Sequence, residues 1–150
     1  MLILMRHGKS DWSTDVTDRA RPLSARGRRQ AAEAGAWLAA HGGPIDLAVV
    51  SPARRAADAW ALACAELDPP PPSRTEEAAY TFDGEELLAL VHGLGAERRV
   101  VLVGHNPACE ELLGLLTGDS PQMKTSALAV VEMDGWSLPG RLVAHGRPPG

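Results

Sequence analysis

A chain of 150 residues suits one domain built on one hydrophobic core and leaves little room for a second. Hydrophobic residues at 45% and charged residues at 23% lie in the ordinary globular range and exclude intrinsic disorder. A net charge of −4 excludes a protein that grips nucleic acid through a broad basic surface, so any phosphate is met locally.

The first element is the apolar run Leu2 to Met5, which reads as a buried strand delivering the loop Arg6-His7-Gly8. The run is too short for a signal-peptide core or a membrane span, so a cytoplasmic location is expected, with no membrane partner. A polar stretch from Lys9 to Pro22 follows. Ser24 then caps an Ala-rich helix over residues 24–41 that stops at Gly42-Gly43. Ile45 to Val50 reads as a second buried strand. Ser51-Pro52 reads as an N-cap with proline at the first helical position, opening a helix that runs to about Leu67.

Four consecutive prolines within Asp68 to Ser73 force an extended surface connection. Leu87, Leu88, Val91 and Leu94 recur at helical spacing and predict an amphipathic helix over 84–94. Val100 to Val103 is the next strand, and Asn106-Pro107 starts a helix carrying Leu112, Leu113, Leu115 and Leu116. Two strand candidates close the chain, Ala127 to Met133 and Arg141 to Ala144. Phe and Tyr occur once each, so the core rests on Ala, Leu and Val with four Trp as large fillers. Cys64 and Cys109 lack any metal-ligand or redox-pair spacing and read as reduced, half-buried residues.

Strands alternating with helices predict an α/β fold, a three-layer α/β/α sandwich with a mostly parallel central sheet, formed by residues 1–150 as one domain. Ligands in such sheets bind beyond the carboxyl ends of the strands. Three predicted strands end in Arg6-His7-Gly8, in Ser51-Pro52-Ala53-Arg54-Arg55 and in Gly104-His105-Asn106-Pro107, so two histidines and several arginines converge on one sheet edge. A neutral imidazole is a nucleophile near pH 7, and a neighbouring arginine favours that neutral form. His7 beside Arg6 fits this role. A phosphoryl group in transfer spreads charge over three oxygens, which Arg6, Arg55 and His105 would meet, while Gly8 and Gly104 leave room for close backbone approach.

These segments resemble the histidine phosphatase superfamily, whose Arg-His-Gly signature stands here as Arg6-His7-Gly8. The layout is similar to its short branch, typified by the SixA phosphohistidine phosphatases, in three further segments: Arg21 to Gly27, Ser51 to Ala56, and Gly104 to Pro107. The resemblance covers essentially the whole chain and implies a phosphoglycerate mutase-like fold, a metal-independent hydrolase and a phosphorylated intermediate on His7. It implies Arg6, His7, Arg55 and His105 as catalytic residues, selecting Arg55 over Arg54. Gly8, Arg21, Ser51, Gly104 and Asn106 would contact substrate. Phosphoglycerate mutases and many acid phosphatases carry a proton-donating carboxylate on a long insertion, and the interval of 50 residues from Arg55 to His105 leaves no room for one. Asp83, Glu85 and Glu86 are the candidate general acids in that stretch. A missing acid penalises an alkyl ester more than a phosphoramidate, whose imidazole leaving group solvent can protonate.

The expected substrate is therefore phosphohistidine on a protein, in signal transduction, with no cofactor and a monomer or weak dimer as the working unit. A broad-specificity small-molecule phosphomonoesterase acting on a small phosphate ester is the alternative, and a phosphoprotein-binding module the non-enzyme alternative. A metal site on His7 and His105 is disfavoured by the arginines gathered at the same edge. His41, His92 and His145 read as surface or capping residues, and Arg26, Arg28 and Arg29 as a solvated helix face.

Overall fold

A computed structural model describes residues 1–149. Its strands are β1 (Leu2–Arg6), β2 (Leu47–Val50), β3 (Ser73–Thr75), β4 (Val100–Gly104), β5 (Leu128–Asp134) and β6 (Ser137–Gly146). Its helices are α1 (Ala25–His41), α2 (Arg54–Cys64), α3 (Gly84–His92) and α4 (Ala108–Thr117), with short 3-10 turns at Asp18–Ala20 and Glu77–Ala79. The strands form one sheet in the order β3-β2-β4-β1-β5-β6. Pairs β3·β2, β2·β4 and β4·β1 are parallel, and β5 alone runs against its neighbours, as the mostly parallel reading requires.

The β1 sequence Leu-Ile-Leu-Met is apolar without alternation because both faces of the strand are covered. Leu2 and Leu4 join Val49, Val100, Leu102, Leu87 and Leu112 on the face packed by α3 and α4. Ile3 and Met5 join Ala48, Val50, Val101, Val103, Leu38 and Trp60 on the face packed by α1 and α2. On that second face the helices meet through Ala31, Ala34, Ala56, Ala59 and Ala63. A Cβ at Gly35 would run into the Ala63 backbone, so the small residues there set how closely α1 and α2 approach. No described helix is long and apolar enough to cross a membrane.

Several boundaries differ from the expectation, each for a local reason. Ser24 does cap α1, accepting from the Gly27 N–H at 3.0 Å, but Ser51 does not cap α2. Ala53 is the N-cap there, at ψ 138°, because α2 starts only at Arg54, and the Ser51 hydroxyl lies against His105. Helix α2 ends at Cys64 rather than near Leu67, its last residues passing into turns before the prolines. Strand β3 has only exposed polar residues and no apolar pattern; it forms by backbone pairing of Ser73, Arg74 and Thr75 with Ala48, Val49 and Val50. Strand β6 begins four residues before the expected Arg141, and at the sheet edge it accommodates Pro139 that an interior strand would reject. Both cysteines are free, but Cys109 is fully buried rather than half-buried, and burial pushes its thiol up to about 12.

Candidate active site

The carboxyl ends of β1, β2 and β4 lie side by side in the sheet order, so the segments following them are neighbours although they are about fifty residues apart in sequence. Backbone bonds lock their exits together. The His7 N–H donates to the Gly104 carbonyl at 3.1 Å, the Ser51 N–H to Val103 at 3.1 Å, and the Ser126 N–H to the His7 carbonyl at 3.0 Å. A cleft of about 350 Å³ opens here, lined by Arg6, His7, Lys9, Ser10, Trp12, Asp18, Arg21, Arg55, Phe82, Asn106 and Thr125. A larger and flatter groove along α2, about 530 Å³ and lined by Ala57, Trp60, Ala61 and Cys64, contains none of the sequence motifs.

His7 and His105 are buried with ring centroids 5.0 Å apart. The Nδ1–H of His7 donates to the Gly8 carbonyl at 2.7 Å, and Arg55 Nε donates to His7 Nε2 at 3.3 Å. Both contacts require the same tautomer: the proton on Nδ1 and a lone pair on Nε2. Burial first, then the charges of His105, Arg55 and Arg6, pull the His7 pKa down to about 3, so the ring is neutral at any physiological pH. Burial first and Arg55 next lower His105 to about 4. Ser51 Oγ lies 2.7 Å from His105 Nε2 and also accepts from the Ala53 N–H at 3.3 Å; His105 Nδ1 is buried without a partner.

Arg55 is 1% exposed, and its guanidinium also reaches the Asp18 carbonyl at 2.6 Å and the Asp18 carboxylate at 3.0 Å. Arg21 donates to the other carboxylate oxygen at 2.6 Å and to Ser10 Oγ at 3.0 Å. The Tyr80 hydroxyl completes the set by donating to Asp18. Tyr80 first, then Arg55 and Arg21, hold the Asp18 carboxyl far below the usual carboxylate range. Arg6 Nη1 donates to the Met123 carbonyl at 2.9 Å, and Asn106 Nδ2 donates to Glu110 at 2.9 Å and to Met123 at 3.1 Å.

Of the residues named from the sequence, Arg6, His7, Arg21, Arg55 and Asn106 line the cleft, and His105 and Ser51 pack behind it. Arg54 points to solvent and pairs with Asp58 at 3.4 Å. The glycines have other duties. A Cβ on Gly8 would meet the Gly27 carbonyl at 2.6 Å, so Gly8 lets β1's exit loop pack on α1. A Cβ on Gly104 would find only ordinary contact, 3.5 Å from Cys109 Sγ, so nothing there demands a glycine. Asp83, Glu85 and Glu86 do not line the cleft: Asp83 caps α3 by accepting from the Glu85 N–H at 2.9 Å, and the two glutamates are exposed in that helix's first turn. The carboxylate in the cleft is Asp18. Sequence reasoning missed it because residues 9–22 show no periodicity, and it also missed Trp12, Tyr80 and Phe82. The one available signal was Asp18 standing three residues before Arg21 across a short helical turn.

Comparison with known proteins bears on the family and the fold. Residues 2–79 match the model of the histidine phosphatase superfamily, branch 1. The chain belongs to that superfamily. An uncharacterized protein of Mycobacterium tuberculosis is 32% identical over 143 residues, covering 87% of this chain and 88% of its own length. Among solved structures, a SixA-type phosphohistidine phosphatase from Agrobacterium tumefaciens superposes with a TM-score of 0.87 at 24% identity, covering 98% of this chain and 97% of its own. A second SixA-type structure, from Nakamurella multipartitia, gives 0.85 at 26% identity, with 98% and 95% covered. The protein histidine phosphatase SixA complexed with tungstate gives 0.80 at 25% identity, with 96% and 94% covered. The phosphoglycerate mutase-like α/β fold of the histidine phosphatases is thus the fold of this chain.

Proposed function

We propose that this histidine phosphatase superfamily member is a metal-independent phosphatase that removes the phosphoryl group from phosphohistidine on a partner protein. The observation that carries the reading is the fixed tautomer of His7, whose unprotonated Nε2 lies in an arginine-lined cleft. In the first step Nε2 attacks phosphorus, the substrate's P–N bond breaks, and the departing imidazole takes a proton from solvent. In the second, water attacks phospho-His7, its P–N bond breaks, and inorganic phosphate leaves with His7 restored. Arg6, Arg21 and Arg55 neutralise charge on the three phosphoryl oxygens, the guanidinium fork of each matching a pair of oxygens. His105, its ring centroid 5.0 Å from that of His7 and its Nε2 engaged by Ser51, backs the nucleophile from behind the cleft.

Phosphohistidine is favoured over an alkyl phosphate by the state of the carboxylates. Asp18 is the sole Asp or Glu among the described lining residues, and its three donors keep it ionised, so it holds no proton to give a leaving alkoxide. The likeness to a SixA protein that binds tungstate, a tetrahedral oxyanion, supports an anionic ligand in this cleft. The test is phosphate release from a phosphohistidine protein and from an aryl phosphate, with chelator present, for wild type and His7→Ala. Turnover of the phosphoprotein that vanishes in the variant is the expected result. Turnover of the aryl phosphate alone would replace this reading with a small-molecule phosphomonoesterase. Tight phosphoprotein binding without release would replace it with a binding module.

A further inference from the structure

The large aromatic side chains are unevenly distributed. The only Phe, the only Tyr and one of the four Trp gather around the cleft, and two of them face solvent: Trp12 is 75% exposed and Phe82 51%. Their placement has no explanation in folding, since neither belongs to the two core clusters. One face of Trp12 covers Arg21, whose guanidinium carbon lies 3.5 Å from the ring centroid. Phe82 stands edge-on to His105 at 5.8 Å. The remainder of both rings is free to meet something else.

Charge around the cleft is uneven too. The chain's only two lysines, Lys9 and Lys124, are both exposed. Lys9 lines the cleft, and Lys124 sits between Met123, the acceptor for Arg6, and Thr125, another lining residue. Asp83, Glu85 and Glu86 follow Phe82 in sequence, at the start of α3. A cleft of about 350 Å³ accepts a phosphorylated side chain and leaves the residues flanking it on this rim.

We infer that Trp12, Phe82, Lys9 and Lys124 form a docking collar for a protein segment in which the phosphohistidine is flanked by an apolar side chain and by carboxylates. The apolar neighbour stacks against the open ring faces, and the acidic residues lie over Lys9 and Lys124. This inference rests on the phosphohistidine reading and deepens it, since it says which protein sequences are chosen.

Two phosphohistidine peptides of equal length test it, one with Leu and Glu beside the phosphohistidine and one with only Ser and Gly. Wild type is expected to favour the Leu/Glu peptide by about tenfold in kcat/KM. Trp12→Ala and Phe82→Ala are expected to bring the ratio of the two peptides close to one. Lys124→Ala, or salt at about 0.5 M, which shortens the Debye length to about 4 Å, is expected to reduce it partway. A purely structural role for the aromatics would slow both peptides equally and leave the ratio untouched. That result, or a wild type without preference, overturns the inference. If neither peptide is hydrolysed the proposed activity fails on its own account. The collar is then read from binding of the same peptides to His7→Ala by fluorescence anisotropy, where the same preference sustains it and equal affinity overturns it.

Discussion

Replacing Arg55 by Lys keeps the positive charge and removes the fork that distributes it. In the native site one guanidinium reaches His7 Nε2 at 3.3 Å, the Asp18 carbonyl at 2.6 Å and the Asp18 carboxylate at 3.0 Å, from a side chain that is 1% exposed. A single ammonium cannot meet partners spread over that span, nor can it hold two phosphoryl oxygens in one plane. Loss of one fixed donor to developing charge in a site poor in water costs about 100- to 1,000-fold in kcat, or roughly 3–4 kcal/mol of transition-state stabilisation. Folding should suffer less, by about 1–2 kcal/mol, because the half-exposed Asp18 carboxylate can recover water. Phosphate release under saturating phosphohistidine protein, paired with thermal melting followed by circular dichroism, separates the two effects. A variant that melts like wild type and keeps kcat within about fivefold would refute the argument that the fork, rather than the charge, performs the work.

Four other outcomes are expected. His7 and His105 are held down to about 3 and about 4 when folded and titrate near 6.5 when unfolded, so the unfolded chain takes up protons first as pH falls. Stability from these two residues is present above pH 6.5 and lost as pH falls towards 4, each ring removing at most ~1.4 kcal/mol for every pH step of one; urea midpoints across that range should fall steeply for wild type and more gently for His105→Asn. For the same reason the His7 ring resonances followed by NMR should not titrate near pH 6.5, and a shift there would mean that His7 titrates like an exposed histidine. Gly27→Ala should cost about 1–3 kcal/mol in urea denaturation, because the added methyl falls on the Lys9 backbone, 2.8 Å from its nitrogen, and the forced shift should also slow turnover by moving the loop after His7. Excess chelator should leave phosphate release unchanged, and inhibition that added divalent metal reverses would contradict a site whose charge is met by arginines.

How far the sequence was legible follows from the range of each interaction. Both-sided burial writes itself into a strand as a continuous apolar run, so β1, β2 and β4 were readable within a residue or two. The convergence of Arg6-His7, Arg55 and His105 also followed from strand order of the α/β type, since parallel strands put all their carboxyl ends on one edge. Edge elements were another matter. Strands β3 and β6 have weak or absent apolar patterns because little of them is buried, and only backbone pairing with β2 and β5 makes them strands.

The sequence by itself determined the alternating architecture, the histidine and arginine set, and membership of the superfamily through linked local motifs. The tertiary structure alone decided what each polar group does. It took Ser51 from its expected capping position and engaged it with His105. It used Gly8 for packing against α1, and it turned Asp83 into a helix cap outside the cleft. It also brought Asp18 and Tyr80, 62 residues apart, together on Arg55. Motifs record residues that a loop must contain, whereas a carboxylate's partners are fixed by contacts across the fold, and nothing in a one-dimensional pattern encodes those distances.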